Sequence, residues 1–221
     1  MANFQPVELE NWNRADLFRH YTEVWPGCLV NMCVKLDVTE TVLFLKSKEK
    51  KLAPALYYLA TKALCEQANF CMSMQNGVLG FWDSLCPLYP VLNEQKNITF
   101  HSIPWQEKFC DYYKEYVKEQ EENSKCNSAV CGEIPPNFIL ISINPFTCFD
   151  SCSFSLKNAK GYFSPMLFMG KYEEAEGKYL MPVSFTFHHA VADGYHAQIF
   201  FDTFQRLLKN PRNWWEETEW K

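Results

Sequence analysis

An imidazole and a carboxylate lie four residues apart in the stretch His188-His189-Ala190-Val191-Ala192-Asp193-Gly194. A histidine titrates near neutral pH and takes a proton from a hydroxyl group, while an aspartate orients a loop by pairing with a cation. The stretch therefore indicates either a general base with a supporting carboxylate or a surface loop that holds two histidines. Short His/Asp patterns recur by chance, so the surrounding sequence has to decide between the two interpretations.

A predicted strand and a predicted helix flank this stretch. Apolar and small polar residues alternate from Met181 to Phe187, as in a half-buried strand, and Gly194 permits a backbone conformation that bulkier residues avoid. Apolar residues recur at helical spacing from Tyr195 to Leu208. A strand, a tight turn and a helix in this order place His189 at a strand end, where loops commonly carry catalytic groups.

The rest of the chain alternates between strand and helix patterns. Period-two alternation and an Asn-Gly pair predict strands and a hairpin, whereas apolar residues three and four apart predict helices. The predicted elements are a strand over 29–38, a helix over 55–66 that Pro54 opens, hairpin strands over 70–74 and 79–83 around Asn76-Gly77, a helix over 105–120, a polar loop over 121–136, and a strand over 138–144 that carries Ser142. We expect one α/β sandwich domain that spans residues 1–221.

Composition excludes several classes of function. The net charge of −5 provides no basic field for nucleic acid. The N-terminal residues lack a signal-peptide pattern and no apolar run reaches the length of a membrane span, so we expect a cytoplasmic protein with no membrane partner. The 18 Phe, 11 Tyr and 7 Trp are many to bury in one protomer, which favours an oligomer.

The cysteine pattern gives no sign of a disulfide framework. Ten cysteines are spread from Cys28 to Cys152 without a CxxC pair, which favours buried free thiols. Cys126 and Cys131 are the nearest candidates for a clip or a metal pair, but this spacing is a weak signal without a neighbouring histidine, so we assign no metal.

Landmarks in other segments carry a family resemblance. They are Asn11-Trp12-Asn13-Arg14, Lys35-Leu36-Asp37-Val38-Thr39, Pro54-Ala55, Phe81-Trp82-Asp83-Ser84, Thr99-Phe100, Ser142-Ile143-Asn144-Pro145, Met169-Gly170-Lys171-Tyr172 and Leu180-Met181-Pro182. Together with the His188–Gly194 stretch, they make the chain resemble the trimeric chloramphenicol acetyltransferases along nearly its whole length, as a divergent member. The resemblance implies a coenzyme A-dependent acyltransferase fold, a two-layer sandwich with a mixed β-sheet flanked by helices. It also implies a homotrimer with active sites at the subunit interfaces.

The resemblance also implies a division of roles. His189 would be the general base that removes a proton from an acceptor hydroxyl as its oxygen attacks the thioester of acetyl-CoA, the cosubstrate, without an acyl-enzyme. Ser142 would donate a hydrogen bond to the oxyanion, and Asp193 would pair with Arg14 to hold the loop. Adjacent strand residues face opposite ways, so only one of the two histidines can face the substrate, and we assign the chemistry to His189 rather than His188.

Binding positions follow from the same resemblance. The acceptor positions are aromatic or apolar and would equally suit a plain core: Tyr21, Phe100, Phe154, Met166 and Phe168. Lys171 and Lys50 match positions near the coenzyme A entrance, where an ammonium meets phosphate, although exposed lysines are common.

Several residues near the chemistry depart from the family pattern. Phe168 stands where the family usually has a threonine, and Ala192, Tyr195, His20 and Trp25 also differ. Loss of a polar group and added bulk change which acceptor a site accepts. The leading hypothesis is acetyl transfer to chloramphenicol. The alternatives are acetyl transfer to a different small hydroxyl compound and a non-catalytic protein that binds a small molecule.

Overall fold

The computed structural model describes residues 2–157, 161–216 and 220. The strands are β1 (Phe4–Pro6), β2 (Leu29–Asp37), β3 (Met72–Gln75), β4 (Val78–Trp82), β5 (Cys86–Leu92), β6 (Ile98–Ser102), β7 (Phe138–Ile143), β8 (Met166–Met169), β9 (Glu173–Ala175) and β10 (Lys178–His188). The helices are α1 (Ala15–Arg19), α2 (Thr39–Ser47), α3 (Leu52–Cys65), α4 (Phe109–Glu122) and α5 (Gly194–Lys209), with short helical turns at Leu9–Asn11, His20–Val24, Ala68–Cys71 and Pro211–Asn213. Within the described chain, no helix has both the length and the apolar character needed to cross a bilayer.

The main sheet is mixed and has the strand order β2-β10-β8-β7-β5-β6, with β9 beside the start of β10. Strands β5, β7 and β8 are parallel neighbours, whereas β2, β10 and β6 pair antiparallel with the strands beside them. A small second sheet has the order β1-β4-β3. Helices α3 and α5 contact each other and the main sheet, which gives the two-layer α/β sandwich that the sequence predicts.

The two faces of the main sheet differ. Alternate residues such as Leu167 and Phe185 are buried in the core beneath the helices. Ser142, Phe168 and Ser184 pair across three strands and therefore lie in one row on the opposite face, which we call the outer face. The chain between β7 and β8 lies along the outer face, where the backbone carbonyl of Cys152 accepts a hydrogen bond from Ser184.

Most of the predicted elements are present, shifted by a few residues at their ends. The hairpin is confirmed, because Asn76 and Gly77 have φ values of 51° and 81° and connect β3 to β4. The helix predicted over 105–120 begins at Phe109 instead. The chain before it is held as a loop, and the indole of Trp105 stacks on Tyr58 with ring centroids 4.9 Å apart.

Two further expectations are wrong. Gly194 does not adopt an unusual backbone conformation; it is the first residue of α5, and the turn is made by the residues just before it. Cys126 and Cys131, the pair left open as a clip, form a disulfide with Cα atoms 6.3 Å apart, so the expectation of free thiols is wrong at these two positions. The loop is held in place because Phe100 on β6 exchanges backbone hydrogen bonds with Ala129 and Cys131.

Candidate active site

His189 lies immediately after β10, on the turn that leads into α5. Its backbone N–H donates to the carbonyl of Cys28 at 2.8 Å, and its ring stacks on Tyr21 with centroids 4.3 Å apart. The ring Nδ1 lies 3.0 Å from the carbonyl oxygen of Ala192. A carbonyl can only accept, so the proton belongs on Nδ1 and the lone pair on Nε2 is left available as a base.

A charged network holds this turn. The Arg14 guanidinium donates to Asp193 Oδ2 at 2.8 Å, to the carbonyl of Ala190 at 3.0 Å and to the carbonyl of His189 at 2.9 Å. The ion pair expected between Arg14 and Asp193 is therefore present. One guanidinium fixes the backbone of the histidine itself and that of its neighbour.

Asp193 also anchors the helix that follows. It is the N-cap of α5, where its carboxylate accepts from the N–H of Tyr195 at 3.1 Å and lies 2.9 Å from His196 Nδ1. Partial burial opposes ionisation, but the hydrogen bonds from Arg14 and His196 outweigh it and lower the pKa of Asp193 to about 2. The carboxylate is therefore fully ionised at neutral pH.

His188 points in a different direction from His189. It is 1% exposed and packs edge-on against Phe163, with ring centroids 5.1 Å apart. Its Nδ1 accepts from the N–H of Ala190, and its Nε2 is buried without a partner among the described residues. Burial, with a contribution from His189, lowers its pKa to about 4, so this ring stays neutral and lies in the core.

Ser142 lines a cavity of about 520 Å³ at the carboxyl ends of the parallel strands. Phe168 lines the same cavity beside it. The Ser142 hydroxyl has no hydrogen-bond partner within the described chain and is free to donate to a bound molecule. Ligands of mixed sheets commonly bind at this end of parallel strands.

The cavity exists because two strands separate. β5 and β7 pair from Cys86 to Leu88 only, although both strands continue. The N–H and C=O of Phe100, the partner of Pro90 on β6, bond to the loop on the far side, so the nitrogen of Pro90 faces β7. Proline has no N–H to donate, so the ladder stops there and a passage opens through the sheet.

His189 and Ser142 lie far apart within one chain. Ser142 pairs with Phe168 and Phe168 with Ser184, and His189 follows Ser184 by five residues. At the usual rise and strand spacing, the two residues are about 17 Å apart along the strands and about 10 Å apart across them. One chain therefore brings together His189, Arg14 and Asp193 but does not bring Ser142 to them.

Three of the five predicted acceptor residues lie at these two places. Tyr21 stacks on His189 in a cluster with His20 and Trp25. Phe154 contacts Phe168 edge-on at 5.7 Å on the outer face.

The remaining binding positions lie elsewhere. Met166 is buried beside Thr186, and Phe100 lies on β6 at the sheet edge. Lys171 is exposed after β8, where its N–H bonds to the carbonyl of Thr147. The Lys50 ammonium lies over the Trp220 ring, 4.8 Å from its centroid.

Sequence patterns did not indicate the helical wall of the Ser142 cavity. Tyr57 on α3 and Tyr116 on α4 line it, as do Tyr89 and Gln120. All four lie in helix or strand patterns that are typical of core residues, and only the opening between β5 and β7 turns them into cavity walls.

Comparisons with known proteins agree on one family. Residues 2–205 match the family model described as Chloramphenicol acetyltransferase. The chloramphenicol acetyltransferase of Clostridium perfringens is 34% identical over 217 residues, which cover 96% of this chain and 97% of that protein. The enzyme of Bacillus pumilus is 33% identical over 208 residues, which cover 93% and 94%.

Solved structures show the same fold. One of a chloramphenicol acetyltransferase has a TM-score of 0.80 at 21% identity and covers 94% of this chain and 100% of its own. The dihydrolipoamide acetyltransferase of Azotobacter vinelandii has a TM-score of 0.66 at 18% identity and covers 96% and 92%.

Proposed function

This chain belongs to the chloramphenicol acetyltransferase family, and on that basis we propose that it transfers the acetyl group of acetyl-CoA to a hydroxyl of chloramphenicol. It is an acyltransferase with the coenzyme A-dependent acyltransferase fold. Residues 1–221 act as a single acetyltransferase domain. We place the reaction in the cytoplasm, the compartment that membership of this family favours.

His189 is the general base. Its Nε2 takes the proton of the acceptor hydroxyl while the hydroxyl oxygen forms a bond to the thioester carbonyl carbon, and the carbonyl electron pair moves to oxygen. When the carbon–sulfur bond breaks, His189 returns the proton to the departing thiolate. Such proton transfer typically contributes about 10²–10⁴ in rate. Arg14 and Asp193 position the base through the backbone hydrogen bonds of its turn.

Ser142 stabilises the negative oxygen that forms during the transfer. Its hydroxyl has no other partner in the described chain and faces a cavity large enough for the arm of a thioester donor. Acetyl-CoA fits this cavity, because the Ser142 hydroxyl can donate to its thioester carbonyl. It supplies the activated acetyl group. Lys171 and Lys50, both at the surface, are the candidates for its phosphates.

The distance between His189 and Ser142 within one chain supports an oligomer. A base and an oxyanion donor that serve one carbonyl carbon have to lie within a few ångströms of it. Their separation within one chain shown above exceeds this severalfold, so we infer that the site is completed by a second copy. A homotrimer in which each interface joins His189 of one protomer to Ser142 of the next meets this requirement. Exposed Val24 and Trp25 beside Tyr21 supply apolar surface for the contact.

Mixing inactive variants tests the shared site. Pure His189→Ala trimers and pure Ser142→Ala trimers should each lose at least about 10² in rate. In randomly mixed trimers, an interface works when it joins the intact histidine of one variant to the intact serine of the other, which restores about one quarter of the wild-type rate. A mixture as inactive as its parents would contradict the interfacial site.

The acceptor is tested by thiol release. Purified protein with acetyl-CoA and chloramphenicol should release coenzyme A thiol, and the His189→Ala variant should not. Absence of release from the wild-type protein would reject chloramphenicol as the acceptor.

One observation favours a second candidate acceptor. Phe168 fills the space beside Ser142 and contacts both Phe149 and Phe154, at 5.4 Å and 5.7 Å between ring centroids. A large apolar ring there removes room and a polar partner, which favours a smaller or flatter hydroxyl compound. A panel of small alcohols that yields turnover where chloramphenicol yields none would select this candidate.

A further inference from the structure

Two tyrosine hydroxyl groups line the Ser142 cavity and take no part in the reaction proposed above. Tyr57 and Tyr116 are 4% and 8% exposed, both line the cavity, and neither hydroxyl has a hydrogen-bond partner in the described part of the chain. A third wall residue, Tyr89, differs because its hydroxyl donates to Glu119 at 2.8 Å. Neither oxygen is among the buried atoms that lack a partner, so both hydroxyl groups are open to the cavity and are available to donate to a molecule bound there.

The two phenols act as neutral donors. Burial, with a contribution from Tyr116, raises the pKa of Tyr57 well above the ordinary value, and burial raises the pKa of Tyr116 to about 12. The side chains that line the cavity are uncharged among those the structure describes. A neutral group that accepts hydrogen bonds, such as an amide carbonyl, therefore fits this wall better than a phosphate or a carboxylate.

The position of the two tyrosines along the passage indicates which of the two substrates they contact. The tyrosines belong to α3 and α4, which pack on the helix face of the sheet, whereas Phe154 and Phe168 lie on the outer face. The passage between β5 and β7 links these faces, and Ser142 lies within it. Two molecules that meet at one carbonyl carbon approach from opposite sides, so an acceptor held by the outer face leaves the helix side to the thioester donor.

We propose that the hydroxyl groups of Tyr57 and Tyr116 donate hydrogen bonds to an amide carbonyl in the pantetheine arm of acetyl-CoA. This inference rests on the proposed function. It makes the helical wall a site that holds the arm while Ser142 holds the thioester carbonyl.

Calorimetric titration tests these contacts without turnover. Acetyl-CoA and chloramphenicol are titrated separately into the wild-type protein and into Tyr57→Phe and Tyr116→Phe. Each variant should weaken acetyl-CoA binding by roughly 2- to 12-fold, the range for one lost neutral hydrogen bond, and leave chloramphenicol binding unchanged.

Tyr112→Phe is the matched control. Tyr112 lies on the same helix α4, and its hydroxyl is also unpartnered, but it is sealed in the core away from the cavity. This variant should bind acetyl-CoA as the wild-type protein does.

Three results would overturn the proposal: wild-type affinity for acetyl-CoA in both cavity variants, a loss confined to chloramphenicol, or an equal loss in Tyr112→Phe. An unfolding temperature equal to that of the wild-type protein shows that each variant is folded. If the wild-type protein binds acetyl-CoA but transfers nothing to chloramphenicol, the proposed acceptor is wrong and the tyrosine contacts stand.

Discussion

Replacing Asp193 by asparagine isolates the charge that holds the turn of the base. Asparagine is as good an N-cap as aspartate, so α5 keeps its start and the side-chain volume is unchanged. What disappears is the negative partner of Arg14, whose side chain is 8% exposed. The buried guanidinium then has only backbone carbonyl groups to balance it.

The expected loss follows from the ionisation of Asp193. A fall in pKa from 3.8 to about 2 corresponds to roughly 2 kcal/mol. The Asp193 side chain is 32% exposed, and solvent screening reduces the loss to about 1–2 kcal/mol at pH 7. For a chain of this length, that is a fall of roughly 2–8 °C in the unfolding temperature.

Urea unfolding followed by tryptophan fluorescence, at fixed protomer concentration, measures the difference between wild type and Asp193→Asn. A carboxylate whose pKa is lowered by folding stabilises the protein above its ordinary pKa, and this stability is lost as the pH falls toward 2. The difference should be constant from pH 7 to pH 5 and shrink to about half by pH 3. Other titrations are common to both proteins and cancel.

Two outcomes would refute this reasoning. Equal stability of the two proteins at pH 7 would mean that the Arg14–Asp193 pair contributes nothing beyond the cap. A difference that stays constant down to pH 2 would mean that the loss comes from packing rather than from charge.

Three other substitutions probe the remaining parts of the site. His188 takes up a proton on unfolding between its ordinary pKa of 6.5 and its folded pKa of about 4, so the wild-type protein should lose about 2 kcal/mol of stability from pH 7 to pH 5. His188→Gln should lose less in the same urea titrations, and an equal loss would assign the effect to another group. Ser142→Ala should lower kcat by about 10²–10³ with little change in the KM for acetyl-CoA, and steady-state rates near wild type would remove Ser142 from the oxyanion role. Phe168→Thr should raise kcat/KM for chloramphenicol by about tenfold, whereas no change would show that Phe168 does not limit the acceptor.

Local signals made much of the fold predictable. The hairpin followed from Asn76-Gly77, because the turn needs two residues with positive φ and these residue types tolerate it. The position of His189 at a strand end followed from the alternation in β10 and the apolar spacing in α5. Helix α2 is not among the predicted elements, because its short apolar run shows no clear helical period.

Features that depend on pairing between distant segments were beyond the sequence patterns. The opening between β5 and β7 requires the register of Pro90 against Phe100, which no local pattern contains. The separation of His189 from Ser142 depends on strand order, since β8 inserts between β7 and β10. The Cys126–Cys131 disulfide depends on how the loop is pinned to β6, and a spacing of five residues alone does not decide that.

The anchors of the catalytic turn and the walls of the Ser142 cavity are different residues. Arg14, His189, Asp193 and His196 form one group, and none of them is among the described residues that line the cavity. Substitutions in walls other than Ser142 therefore leave the hydrogen bonds that hold His189 unchanged, so the shape of the cavity can change separately from the turn. Phe168 is such a wall residue, so a change of acceptor through this position requires no change at Arg14, His189 or Asp193.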